Sequence, residues 1–154
     1  MKKFALLGAL VAAIVVGATL ASSAGNKTVT VPMTVKVIEH ATTDVVIDTG
    51  RPGDTTGDLL TWHNAVFNAD NTKKAGHDQG DCIRISPTAG TWECRWTTWV
   101  LGGSITVEGP FYDTRDNTIA ITGGTGMFNN ARGTMDLVAR KGGAEYAFIF
   151  NVIP

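Results

Sequence analysis

The sequence predicts an all-β fold of about eight short strands, read as a closed antiparallel barrel in preference to a sandwich, and three observations carry the strand pattern. From Thr28 the chain alternates, with Val29, Val31, Met33, Val35 and Val37 on one face and Thr28, Thr30, Thr34 and Lys36 on the other. Period two over this length is the pattern of a half-buried strand. Short apolar runs then recur with turn residues between them. Finally, glycine is abundant, 18 of 154 residues, against a usual level of about 7%. No window sustains the i, i+3, i+4, i+7 spacing of an amphipathic helix.

Taken in order, the first strand runs on to Glu39, and further runs follow at 44–48, 58–67, 81–86, 91–101, 103–109, 118–122, 133–140 and 144–153. The turn signals between them are Arg51-Pro52-Gly53-Asp54, Asn68-Ala69-Asp70-Asn71, Ser86-Pro87, Gly102-Gly103, Gly123-Gly124-Thr125-Gly126 and Lys141-Gly142-Gly143. A single helical turn around Phe128–Ala131 is the most helix the pattern allows. So many evenly spaced strands make a sandwich or a barrel. The barrel is preferred, because closure at about eight strands removes the sheet edges and leaves room for one small ligand.

The first segment stands apart from this pattern. Lys2 and Lys3 precede an apolar and small-residue run from Phe4 to Val16, and no charge appears from Phe4 to Asn26. Ser22-Ser23-Ala24 then supplies small residues for cleavage. Residues 1–24 read as a secretory signal peptide, cut after Ala24 with Ala21 as the alternative, leaving 25–154 as one domain. An uncleaved anchor helix is the competing reading, but the apolar core is short for a membrane span. The expectation is a secreted protein with no stable membrane insertion after processing.

Several function classes are excluded at once. Thirteen Lys+Arg against 14 Asp+Glu give a net charge of −1, with no basic stripe of the kind a nucleic-acid binder carries. There is no Gly-x-Ser-x-Gly elbow, phosphate loop or dinucleotide fingerprint. His40, His63 and His77 lack metal-ligand spacing, and the two cysteines do not complete a zinc site with them. No metal and no cofactor are expected.

Cys82 and Cys94 flank a turn centred near Thr88, so a simple hairpin sets them opposite each other. In an exported chain that favours a disulfide, although one thiol could instead line a pocket. Trp92, Trp96 and Trp99 form a dense aromatic cluster, either core or the wall of an apolar pocket.

Several separate segments resemble the allene oxide cyclase barrel family, which also contains plant dirigent proteins. They are Gly57-Asp58-Leu59-Leu60-Thr61-Trp62-His63-Asn64, Lys73-Lys74-Ala75-Gly76, Gly80-Asp81-Cys82, Ile105-Thr106-Val107-Glu108-Gly109-Pro110-Phe111 and Ala120-Ile121-Thr122-Gly123-Gly124-Thr125-Gly126-Met127-Phe128. They fall in order along about half the chain, and the protein is identified on them as a secreted bacterial member. The resemblance implies a closed eight-stranded barrel with an apolar cavity that confines a reactive intermediate, such as a lipid, polyketide, terpene or phenolic, and selects one geometry of cyclisation or coupling. It implies no cofactor, and a homo-oligomer, dimer or trimer.

By the same resemblance, Glu39 is the carboxylate that stabilises developing positive charge, and strand parity sets it on the face of Val35 and Val37. Asn64 is the water-holding residue of a strand that also presents Leu60 and Trp62. Cys82 matches a cavity cysteine, and Phe111 falls near a cavity tyrosine. The bland readings are that Glu39 is a solvent-facing strand end and that Asn64 satisfies backbone groups at a bend. Ala41 and Thr42-Thr43-Asp44-Val45 depart from the cyclase pattern, so the strict allene oxide cyclase reaction is not expected. Two functions follow: a cyclase-like or dirigent-like steering protein, or a non-catalytic extracellular carrier or interaction protein on the same barrel.

Overall fold

The computed structural model describes residues 30–153. The expected signal segment, residues 1–24, lies outside them. Nine strands are found among the described residues: β1 (Met33–His40), β2 (Val45–Ile47), β3 (Leu59–Asn68), β4 (Lys74–Ser86), β5 (Thr91–Val100), β6 (Gly103–Tyr112), β7 (Asn117–Gly126), β8 (Arg132–Arg140) and β9 (Glu145–Ile153). All pair antiparallel with their neighbours, from β3 through to β9 in chain order and then β9 to β1. Closure comes from β1, which pairs along its length with β9 and, over Val37–His40, with Ala65–Asn68 of β3. β2 flanks the other half of β3, Leu59–Thr61. β1 and β2 thus act as one broken strand beside β3, and the result is a closed eight-stranded barrel.

Alternation decides what lies inside. Along β5, Trp92, Cys94, Trp96, Thr98 and Val100 are buried in strict period two. Along β1, Val35, Val37 and Glu39 face inward, while Val31, expected on the same face, precedes the strand and is exposed. The three clustered tryptophans divide by this parity. Trp92 and Trp96 point into the barrel, whereas Trp99 stacks on His77 with ring centroids 4.8 Å apart. At one end, Phe128, Ile105, Val107, Met135 and Phe150 are fully buried and fill the interior.

Two sequence expectations are corrected. Strand β4 begins at Lys74, well before the expected start at Asp81, because His77, Asp78 and Gln79 pair fully with both β3 and β5. Gly123-Gly124-Thr125-Gly126 is not a turn but the last part of β7, in register with Gly103–Thr106. Glycine is needed at position 124 because a side chain there would strike the carbonyl oxygens of Phe128 and Ser104. The turn itself follows over Met127–Asn130, where the Phe128 amide donates to Thr125 at 3.0 Å and the Ala131 amide to Phe128 at 2.9 Å.

Cys82 and Cys94 are directly opposite in the β4–β5 pair and form a disulfide. Thiol titration of the denatured, unreduced protein should therefore find no free thiol among them. Reduction should lower the unfolding free energy by about 2 kcal/mol, the low end for native disulfides because the bridged loop is short. Denaturant titration with and without reductant measures this; two free thiols in the unreduced protein would refute the bridge.

Candidate functional site

At the end opposite Phe128 the barrel holds a cavity of about 90 Å³, lined by Glu39, Asp44, Leu60, Trp62, Cys82, Cys94, Trp96, Phe111, Leu137, Tyr146 and Phe148. Its walls come from seven strands and the break between β1 and β2. The aromatic rings meet edge-on: Trp62 with Trp96 at 5.9 Å and Phe111 with Tyr146 at 5.9 Å. Gly80 makes this packing possible, since a side chain there would collide with Trp96 Cβ and lie 2.8 Å from the Trp62 ring. The disulfide forms part of the wall, which makes it apolar and leaves no thiol there.

The polar end is built around Asn64, which is 1% exposed. Its Nδ2 donates to Glu39 Oε1 at 2.9 Å and to Asp44 Oδ1 at 2.7 Å. Its Oδ1 accepts from the backbone amides of Thr42 and Thr43 and from the Thr43 hydroxyl, each at 3.0 Å. Both amide hydrogens and both oxygen lone pairs are thereby used. The segment from Ala41 to Asp44 leaves the sheet here, and Asn64 supplies the partners its amides would otherwise lack.

Asp78, which is fully buried, sits directly across from Asn64 on β4. Its Oδ2 accepts from Trp62 Nε1 at 3.1 Å, and its carboxyl shares a hydrogen bond with Glu39. Burial, then the Asp78 charge, pushes the Glu39 carboxyl well above the usual carboxylate range. Burial likewise pushes Asp78 up to about 7. Two carboxyls this close and this dry do not both ionise readily, so the pair retains a proton into the neutral range.

The structure thus brings together Glu39, Leu60, Trp62, Cys82 and Phe111 at one cavity. Val35 and Val37 face inward but pack in the core below it and do not line it. Asn64 does not line it either; with every donor and acceptor occupied, it positions Glu39 and holds the strand break. Sequence reading missed Asp44, Asp78 and Tyr146 as members of the site. Parity along β4 from an inward Cys82 would have found Asp78, two steps beyond Gly80. Among the described residues, no group of three or more His, Cys, Asp or Glu is arranged to hold a metal.

Linkage gives a pH signature. In the unfolded chain both carboxyls ionise near pH 4, while in the barrel they hold a proton to higher pH. Raising pH through this window strips the unfolded chain first, so the pair's contribution to stability is full below about pH 4 and is lost as pH rises through neutrality. Relative to Asp78→Asn, the wild-type unfolding free energy should fall with pH between about 4 and 7, with a slope approaching 1.4 kcal/mol per pH unit for about one retained proton. Parallel profiles from chemical denaturation would show instead that the pair is ionised throughout. Asn64→Ala should cost about 3 kcal/mol or more, since it strips the buried Glu39 carboxyl, Asp44 and two backbone amides of a partner.

The allene oxide cyclase family model matches residues 31–141. Among solved structures, a pyocyanin demethylase is similar with a TM-score of 0.66 and 24% identity, over 77% of this chain and 100% of that one. A pterocarpan synthase dirigent protein gives 0.62 and 14%, over 79% and 92%. An exo-specific intermolecular Diels-Alderase gives 0.59 and 10%, over 79% and 97%. These likenesses show a shared barrel on which quite different chemistry is hosted. With its family match spanning most of the barrel and the closed eight-stranded architecture in place, this chain belongs to the allene oxide cyclase family.

Proposed function

We propose that this protein is an exported barrel that takes a small, largely apolar molecule into its open end and steers its cyclisation or coupling. The observation that carries the reading is Glu39: a carboxyl 5% exposed at the wall of an otherwise aromatic and aliphatic cavity. A buried carboxyl is expensive unless it is used or fully paired, and here it opens onto the one cavity built of Trp62, Trp96, Phe111, Tyr146 and Phe148. Export is supported by the expected signal segment and by the disulfide, which persists in oxidising compartments.

The chemistry follows from the walls. Packed rings restrict a flexible intermediate to one folded shape, which removes much of the entropy loss from the ring-closing or coupling step. Glu39 shares a proton with Asp78, so it can lend that proton to an oxygen or nitrogen on the ligand and take it back. Once ionised it stabilises positive charge that develops nearby, in a dry site where such an interaction is strong. The disulfide adds a bulky, unreactive surface opposite.

A non-catalytic carrier on the same barrel is the second reading. It is favoured by the modest volume of the cavity, about 90 Å³, which accepts one ring or one end of a longer molecule but not a large substrate whole.

An apolar probe should quench Trp emission on binding. Trp62→Ala should weaken that binding by about 1 kcal/mol for each 40 Å² of wall removed. Glu39→Gln should leave probe affinity within about twofold and abolish any steering activity, because the carboxyl acts on charge that forms during reaction. Activity indifferent to Glu39 would leave the carrier reading; absence of binding by any apolar probe would remove both.

A further inference from the structure

The charges around the cavity are one-sided. Glu39 and Asp44 line it, Asp78 lies against Glu39, and no Lys, Arg or His is among the lining residues. Four cationic side chains of the strands and turns outside the cavity are engaged elsewhere. Arg84 pairs with Asp54 and with Asp113, the latter at 2.7 Å, and lies over the Trp92 ring. Arg115 stacks on Tyr112 at 3.7 Å. Lys141 and Arg140 both turn to Glu145, at 2.6 and 3.8 Å. One amide, that of Asn64, serves both lining carboxyls, and Asp78 behind Glu39 takes the Trp62 indole N–H. Even with one proton held between Glu39 and Asp78, Asp44 and the pair leave negative charge at this end that no cationic lining residue balances.

Most of the remaining wall is aromatic, Trp62, Trp96, Phe111, Tyr146 and Phe148, with Tyr146 paired to Glu39 across β1 and β9. Aromatic faces attract cations, more so in a desolvated site. An apolar cage with carboxyls at one end complements a positive charge on an apolar body, and it repels an anion.

We infer that the ligand of this cavity is an organic cation: an apolar ring that enters among Trp62, Trp96 and Phe111 and carries a protonated or quaternary nitrogen toward Glu39 and Asp44. The inference rests on the cavity being the binding site, as proposed above, and adds the charge class of what it binds. The geometry places Asp44 as a specificity-determining residue, at the break between β1 and β2 where the cavity opens.

Three probes of one size separate the possibilities: benzylammonium, benzyl alcohol and benzoate, titrated against the intact protein at one pH and low salt with Trp emission and calorimetry as readouts. Benzylammonium should bind at least tenfold tighter than benzyl alcohol, and benzoate weakest. Asp44→Asn and Asp44→Ser should both reduce that preference to about threefold, through a larger loss of benzylammonium than of benzyl alcohol affinity. Added salt should erode the preference in the wild type. Equal binding of the alcohol and the ammonium would overturn the cation inference and leave the cavity as the site. Tighter binding of benzoate would overturn it with the charge sign reversed. No binding of any probe would overturn the inference together with the proposed cavity. A preference that survives both Asp44 variants would overturn the role given to Asp44.

Discussion

The side-chain amide of Asn64 holds together parts of the chain that would otherwise repel or fray. On one side stand two carboxyls, Glu39 and Asp44, and on the other the backbone of Thr42 and Thr43 as it leaves the sheet. An eight-stranded barrel needs its first strand to pair on both sides, yet the strand must break somewhere to leave an opening. Asn64 makes the break affordable by replacing the lost ladder hydrogen bonds with its own. The same five contacts aim Glu39 into the cavity and bring Asp44 to its rim. Fold closure and site geometry thus share a single group, which explains why a polar side chain occupies the interior of a barrel whose remaining lining is so apolar.

Much of the architecture was legible because alternation is a direct consequence of strand geometry. The inward set of β1 and the opposition of Cys82 and Cys94 were readable from period two and turn spacing, which also favoured a barrel over a sandwich, while the closed eight-stranded form came from the resemblance. Where reading failed, a local signal was overruled by tertiary pairing. His77-Asp78-Gln79-Gly80 has no apolar alternation, since its inward positions are a carboxylate and a glycine, and so the start of β4 was invisible. Gly123-Gly124-Thr125-Gly126 carries the composition of a turn, yet its glycines serve close approach between strands. The site was half legible. Glu39 and Trp62 came from parity and resemblance, but the proton-sharing partner of Glu39 lay in the segment not seen as strand, and the role of Asn64 as a clamp depends on contacts across 20 residues or more of chain.

The comparison structures share this scaffold at 10–24% identity, and the reason such divergence is tolerated is physical. A closed barrel fixes the inward positions rigidly while its end loops and wall residues vary without unfolding it. In this chain the wall carries a disulfide between adjacent strands, Cys82 and Cys94, where a pair of thiols or two aliphatic side chains would also satisfy packing. The bridge fixes the spacing of β4 and β5 behind Trp62 and Trp96, the rings that set the width of the cavity. Rigidity here limits the shapes a ligand can take, which is the property a steering protein needs and a general carrier does not.

Phe128 and the layer of Ile105, Val107, Met135 and Phe150 around it fill the far end of the barrel. Stoppered in this way, the described barrel leaves the carboxyl end as the entrance to its cavity. Whatever enters leaves by the same route, in reverse, and two molecules cannot pass each other inside. On the proposed steering role, a product still seated at the carboxyls would block the next arrival, and free product would compete with substrate for the entrance. If the barrel steers a reaction as proposed, its pace would be set at the threshold as much as at the acid within.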